Sequence, residues 1–115
     1  MLAYHGLADG IIPTKGTEAY YNAVAAILPD IQSFYRYYPV PGLGHCFGGL
    51  GQGPTTLFDA MRAWVENGTI PEELPVSFTD TAGQTNNRFL YPYPAQTIYN
   101  STYRDSIVTK CFYCA

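Results

Sequence analysis

Between Pro41 and Pro54 the chain reads Pro-Gly-Leu-Gly-His-Cys-Phe-Gly-Gly-Leu-Gly-Gln-Gly-Pro. Glycine inside a helix or strand costs about 0.5 to 1 kcal/mol relative to alanine, so a stretch this rich in glycine is a shaped loop and not a regular element. Such a loop has to be delivered and carried away by ordered elements. The residues before it, Ser33 to Val40, are rich in aromatics (Phe34-Tyr35-Arg36-Tyr37-Tyr38) and reach Pro39 and Pro41, which predicts a strand with both faces partly covered. The residues after it, Thr55 to Glu66, place Leu57, Met61, Trp64 and Val65 at helical spacing and run into Asn67-Gly68, a helix stop.

The same order occurs earlier. Met1 to His5 is a short apolar run ending at Gly6, predicted as the last half of a buried strand, so the chain is expected to begin inside a fold. Leu7 to Thr14, punctuated by Gly10 and Pro13, is a loop. Lys15 to Leu28 is predicted as a helix with Thr14 as N-cap, Glu18 near the first turn, and Tyr20, Val24, Ile27 and Leu28 at helical spacing, ended by Pro29. Strand, loop, helix, repeated once, indicates the α/β class, with a parallel sheet whose functional loops follow the carboxyl ends of its strands. Residues 1–68 therefore carry two candidate loops and two helices. Residues 69–115, interrupted by Pro71, Pro75, Pro92 and Pro94, are expected to be an irregular terminal segment, with Pro75 to Thr79 and Ala95 to Tyr99 as its best strands.

Composition narrows the function classes. Charged residues are 13% of the 115 and hydrophobic ones 47%, a balance that fits part of a larger enzyme better than a free-standing module. The net charge is -3 and no run of lysine or arginine occurs, so a nucleic-acid partner is not expected. No apolar stretch approaches the roughly 18 residues of a spanning helix, and no signal peptide is found at the start, so no membrane partner is expected. Two sequons, Asn67-Gly68-Thr69 and Asn100-Ser101-Thr102, make Asn67 and Asn100 glycosylation candidates and point to a secreted parent protein. Three cysteines, Cys46, Cys111 and Cys114, cannot all pair within the chain, which suggests a partner in a missing amino-terminal portion.

Only His5 and His45 can supply an imidazole. His45 lies on the glycine loop, where its ring can project into a cleft, whereas His5 closes a strand and reads as a hydrogen-bonded structural histidine. A base needs a group to fix its tautomer, and Asp9, at the tip of the other loop, is the candidate, with Asp30 at a helix exit less well placed. Asp9 also reads as a turn aspartate bonded to its own backbone. Acid before base is the chain order of α/β-hydrolases, in which the nucleophilic serine precedes both. None of Ser33, Ser77, Ser101 and Ser106 stands in a glycine-flanked nucleophile elbow, so the serine is expected upstream of Met1 and this chain is expected to be inactive by itself. Cys111 and Cys114 have zinc-knuckle spacing without a second pair, which favours a terminal disulfide over a metal site, and the glycines lack the lysine and hydroxyl of a phosphate-binding loop. The tyrosines leave open a non-catalytic module that binds aromatic or glycan ligands, and a truncated gene model is a third reading.

Several segments together resemble the tannase and feruloyl esterase family: His5-Gly6-Leu7-Ala8-Asp9, Ile12-Pro13, Val40-Pro41-Gly42-Leu43-Gly44-His45-Cys46, Gly48-Gly49, Phe58-Asp59, Trp64-Val65-Glu66-Asn67-Gly68 and Tyr91-Pro92-Tyr93-Pro94. The resemblance implies the carboxyl-terminal portion of an α/β-hydrolase that cleaves carboxylic esters through a serine acyl-enzyme, with a small phenolic ester as substrate. It implies Asp9 as triad acid, His45 as base, and Cys46 as a half-cystine joined to a cysteine beside the serine. The family places a cysteine just before its Pro-Tyr-Pro segment where this chain has Tyr91, which leaves the partners of Cys111 and Cys114 open. The resemblance implies no cofactor or metal on these residues, and a calcium site only in a lid domain outside them.

Overall fold

In the computed structural model, residues 1–100, 102 and 112–115 are described. They form two compact units, Met1–Gly53 and Pro54–Ala115.

The first unit is a βαβ crossover. Strand β1 (Leu2–Gly6) leads into helix α1 (Thr14–Ile27), a short 3-10 turn at Ile31–Ser33 and strand β2 (Arg36–Val40). β1 and β2 pair in parallel, with Leu2 opposite Arg36 and Gly6 opposite Val40, so both strands end at the same level. Parallel pairing needs a crossover of a dozen or more residues, which α1 supplies. Tyr37, Tyr38 and Val40 of β2 are fully buried, and Leu2, Tyr21, Ile31, Tyr35 and Leu43 complete the core. The ring of Tyr21 meets that of Tyr35 edge-on at 5.1 Å, a geometry that adds about 0.5 to 1.5 kcal/mol to the burial of the two rings.

Helix α1 runs one residue earlier than predicted and buries a different stripe. Tyr21 is its buried residue, with Thr14, Thr17, Glu18, Val24 and Ala25 partly covered at the same helical spacing. Tyr20, Ile27 and Leu28, predicted to face the core, are exposed. The choice of stripe follows from Tyr21, whose ring packs with Tyr35 and Tyr37. Thr14 is not the N-cap; Pro13 holds that position, and the Thr14 hydroxyl donates to the Gly6 carbonyl at 3.3 Å.

In the second unit, helix α2 (Leu57–Asn67) ends on Gly68, whose φ of +69° is the left-handed conformation that glycine adopts freely. Val65, predicted on the apolar face, is exposed. The segment that follows is more regular than its prolines suggest. β3 (Leu74–Thr79) and β4 (Thr85–Leu90) form an antiparallel hairpin, and β5 (Thr97–Tyr99) pairs with β6 (Phe112–Cys114). β4 escapes sequence reading because one of its buried residues is polar: Asn86 enters the hairpin by donating to Asp80 Oδ2 at 3.1 Å and to the Gln84 carbonyl at 3.0 Å. No described helix is long and apolar enough to cross a membrane.

Candidate active site

The carboxyl ends of β1 and β2 place two loops side by side. Leu7 N donates to the Val40 carbonyl at 2.9 Å and Ala8 N to the Leu43 carbonyl at 3.0 Å, which ties the Asp9 loop to the glycine loop through backbone alone. This approach requires Gly6. A Cβ there would stand 2.2 Å from the Leu43 carbonyl oxygen and 2.6 Å from that of Gly44, both rigid backbone atoms one or two residues from His45. Gly6→Ala is expected to push the loops apart, at a cost of roughly 1 to 3 kcal/mol for the forced backbone shift. Urea unfolding of the variant measures it, and an unchanged midpoint would show that the loops do not depend on this contact.

Within the glycine loop, Gly44 N donates to the Gly48 carbonyl at 2.9 Å and Phe47 N to the His45 carbonyl at 2.7 Å. The second bond closes a three-residue turn centred on Cys46, whose φ of +62° is unfavourable for a side chain with a Cβ. His45 is thus set by the tightest turn of the loop. Strain of this kind persists only where surrounding structure over-determines it, and here the Leu43–Gly49 bridge closes the base of the loop.

Asp9 and His45 meet at that level. Asp9 Oδ2 lies 2.9 Å from His45 Nδ1, and Asp9 Oδ1 accepts from Ile11 N at 2.8 Å and Ile12 N at 2.9 Å. Asp9 therefore is a turn aspartate bonded to its own backbone and a partner of His45 at once, one oxygen for each. Its side chain is 3% exposed while that of His45 is 40% exposed. Burial pushes the Asp9 carboxyl up, but the backbone N–H groups of Ile12 and Ile11 and the rings of His45 and His5 together hold it well below the usual carboxylate range. An ionised carboxylate only accepts, so His45 Nδ1 carries a proton, and in the neutral ring Nε2 then presents its lone pair.

His5 joins the same carboxylate. Its Nε2 lies 2.9 Å from Asp9 Oδ2 and its Nδ1 lies 2.8 Å from Thr17 Oγ1. His5 is the hydrogen-bonded strand-end histidine predicted, but its partner is the candidate acid, which sequence reading did not assign. Thr17 was missed altogether. The signal available for it was its spacing three residues after Thr14 and four before Tyr21, on the buried stripe of α1.

A cavity of about 310 Å³, lined by Tyr4, His5, Gly6, Asp9, Ile12, Leu43, His45 and Cys46, opens in front of these groups. No serine lines it. Ser33 lies within 3.4 Å of Asp30 Oδ2, and neither is part of this cavity; Ser77 is on β3, while Ser101 and Ser106 lie outside the described residues. Cys46 and Cys114 are exposed and form no disulfide among the described residues, and Cys111 lies outside them. Of the sequon residues, Asn67 is exposed at the end of α2 and Asn100 accepts from Thr102 N at 3.1 Å. Among the described residues no group of three or more His, Cys, Asp or Glu side chains is arranged to hold a metal ion.

Residues 1–114 match the family model described as tannase and feruloyl esterase. The chain is 36% identical, over 96% of its length, to a Neosartorya fischeri protein named probable feruloyl esterase B-1, and covers 25% of that protein. It is 32% identical, over 89% of its length, to the mono(2-hydroxyethyl) terephthalate hydrolase of Piscinibacter sakaiensis, of which it covers 17%. The crystal structure of feruloyl esterase B from Aspergillus oryzae matches 99% of the chain at a TM-score of 0.84 and 25% identity, over 26% of its own length. The tannin acyl hydrolase from Aspergillus niger matches 99% at a TM-score of 0.79 and 27% identity, over 22% of its length. The chain thus spans about a quarter or less of the length of these relatives.

Proposed function

Because this chain belongs to the tannase and feruloyl esterase family, we propose that it supplies the acid and the base of a serine carboxylic ester hydrolase acting on esters of phenolic acids. The family supports ester hydrolysis in general. The serine mechanism, the phenolic substrate and the two residue roles are our reading, and the observation that carries it is the 2.9 Å bond between a buried Asp9 carboxylate and an exposed His45 ring.

In this mechanism a serine hydroxyl from outside the 115 residues attacks the ester carbonyl carbon while His45 Nε2 takes its proton. The carbonyl π bond opens to an oxyanion, and its return expels the alcohol, whose oxygen receives the proton from Nε2 as the C–O bond breaks. Water then attacks the acyl-serine, giving one proton to His45, and the collapse of that intermediate returns this proton to the serine and releases the acid. Throughout, Asp9 holds the imidazole in the Nδ1–H tautomer and stabilises its cation without itself being protonated. The low proton affinity of Asp9 suits that task, because a carboxylate with easy access to a proton would take it from Nδ1.

The test is a hybrid in which these 115 residues replace the matched segment of the Aspergillus oryzae feruloyl esterase B, assayed on methyl ferulate. Turnover by the hybrid, with none from the 115-residue chain alone, is the expected result. A folded hybrid without activity, or burst release of product by the chain alone, would overturn the reading.

A further inference from the structure

Asp9 Oδ2 accepts from two imidazoles, and only one of them belongs to the proposed chemistry. The second, His5, is 13% exposed and stands between the acid and helix α1, with Thr17 Oγ1 behind it at 2.8 Å. We propose that His5, held by Thr17, is a positioning residue that fixes the direction from which His45 approaches the acid. The proposal rests on the Asp9–His45 pairing just described.

The donors and acceptors follow from the ionised carboxylate. Oδ1 is occupied by the N–H groups of Ile11 and Ile12, so both rings converge on Oδ2, which has two lone pairs in the carboxylate plane. His5 Nε2–H fills one of them, and the other is the single acceptor site left for His45. With Nε2 protonated, a neutral His5 has its lone pair on Nδ1, and the Thr17 hydroxyl is the donor to it. Thr17 lies in the first turns of α1, where a threonine hydroxyl commonly bonds back to a carbonyl of its own helix. Its position on the buried stripe turns it to His5 instead, so helix, strand end and both loops are joined in one line: Thr17, His5, Asp9, His45. Without His5, Oδ2 would offer His45 two lone pairs instead of one, and the ring could settle in more than one orientation. Supports of this kind, one bond removed from the reacting groups, commonly alter activity by about 10 to 100-fold where they orient a metal ligand, and the geometric logic is the same here.

The experiment is nitrogen-resolved NMR of the two imidazoles in the full 115-residue chain, above the pH at which either ring is protonated. The expected spectrum has His45 as the Nδ1–H tautomer with a hydrogen-bonded, slowly exchanging Nδ1–H proton, and His5 as the Nε2–H tautomer. His5→Leu and Thr17→Val should lose or broaden the His45 Nδ1–H resonance while the remaining amide spectrum stays folded. His5→Gln, whose amide nitrogen reaches the place of Nε2, and Thr17→Ser, which keeps the hydroxyl, should retain it. A loss of fold in the His5 variants leaves the two Thr17 variants to decide. An unchanged His45 signal in Thr17→Val or His5→Leu, or a wild-type chain without that signal, overturns the proposal. These outcomes read orientation, whereas the hybrid assay reads turnover, so the two readings fail separately.

Discussion

His45→Ala in the hybrid esterase is expected to lower kcat by about 10⁵ to 10⁶-fold while KM changes little. The reason lies in how few groups could replace the ring. Among the residues lining the cavity, the other titratable side chains are Tyr4, His5, Asp9 and Cys46. Asp9 is buried, and with its carboxyl held well below the usual carboxylate range it is too weak a base to take a serine proton even at the Oδ2 site that His45 vacates. His5 directs one nitrogen to Asp9 and the other to Thr17, so neither is free to take a serine proton. Removal of His45 therefore leaves the serine hydroxyl with its ordinary proton affinity and the leaving alcohol without a proton donor. What remains is the part of the rate that comes from binding and oxyanion stabilisation elsewhere. Single-turnover kinetics on methyl ferulate measure the loss, and a kcat within about tenfold of the parent hybrid would show that His45 is not the base.

The elements that carry Asp9 and His45 were legible for a physical reason. A glycine-dense stretch between an aromatic strand and an amphipathic helix has few ways to fold, and the alternation of strand, loop and helix puts the loops after β1 and β2 at one edge of a parallel pair. The convergence of Asp9 and His45 follows from equal strand levels, Gly6 opposite Val40, combined with a glycine at the one place where the loops touch. What could not be read depends on contacts between side chains distant in sequence. Thr17 and His5 are twelve residues apart, and nothing in their local spacing distinguishes a threonine that serves a histidine from one that serves its own helix. Helix α1 misled in the same way. Tyr20 and Tyr21 are equally apolar and the rings of both lie near Tyr35, but it is Tyr21 that also meets the buried ring of Tyr37 and enters the core, a choice that periodicity does not show. In the second unit, β4 carries its burial partly on Asn86, a residue that sequence patterning counts as a loop former until its two hydrogen bonds are known.

Asp9→Asn is expected to lower kcat by up to about 10⁴-fold, and the site gives a specific reason why the amide is harmful and not merely inert. An asparagine can present its oxygen and nitrogen in either order. Here the order is dictated, because the position of Oδ1 faces two backbone donors, Ile11 N at 2.8 Å and Ile12 N at 2.9 Å. The amide oxygen has to occupy that position, which puts the NH₂ group where Oδ2 was, pointing its hydrogens at both imidazoles. Each ring must then turn a lone pair towards it. For His45 that means the Nε2–H tautomer, with the proton on the nitrogen that should accept from serine. His5 changes in step, donating from Nδ1 to Thr17 Oγ1, so the altered state is hydrogen-bonded throughout and nothing in the cluster opposes it. The fold should therefore survive while the base is lost. Because the wild-type carboxyl is held well below its ordinary value of 3.8, Asp9 stays ionised at every pH at which the enzyme would be assayed. Titration of Asp9 should accordingly contribute nothing to the pH dependence of the parent hybrid from about pH 5 to 8. Asp9→Ala, which imposes no tautomer, should be no worse than Asp9→Asn despite removing more of the side chain. A variant Asp9→Asn with near-parental kcat, or with His45 still protonated at Nδ1 by NMR, would show that the carboxylate does not set the base.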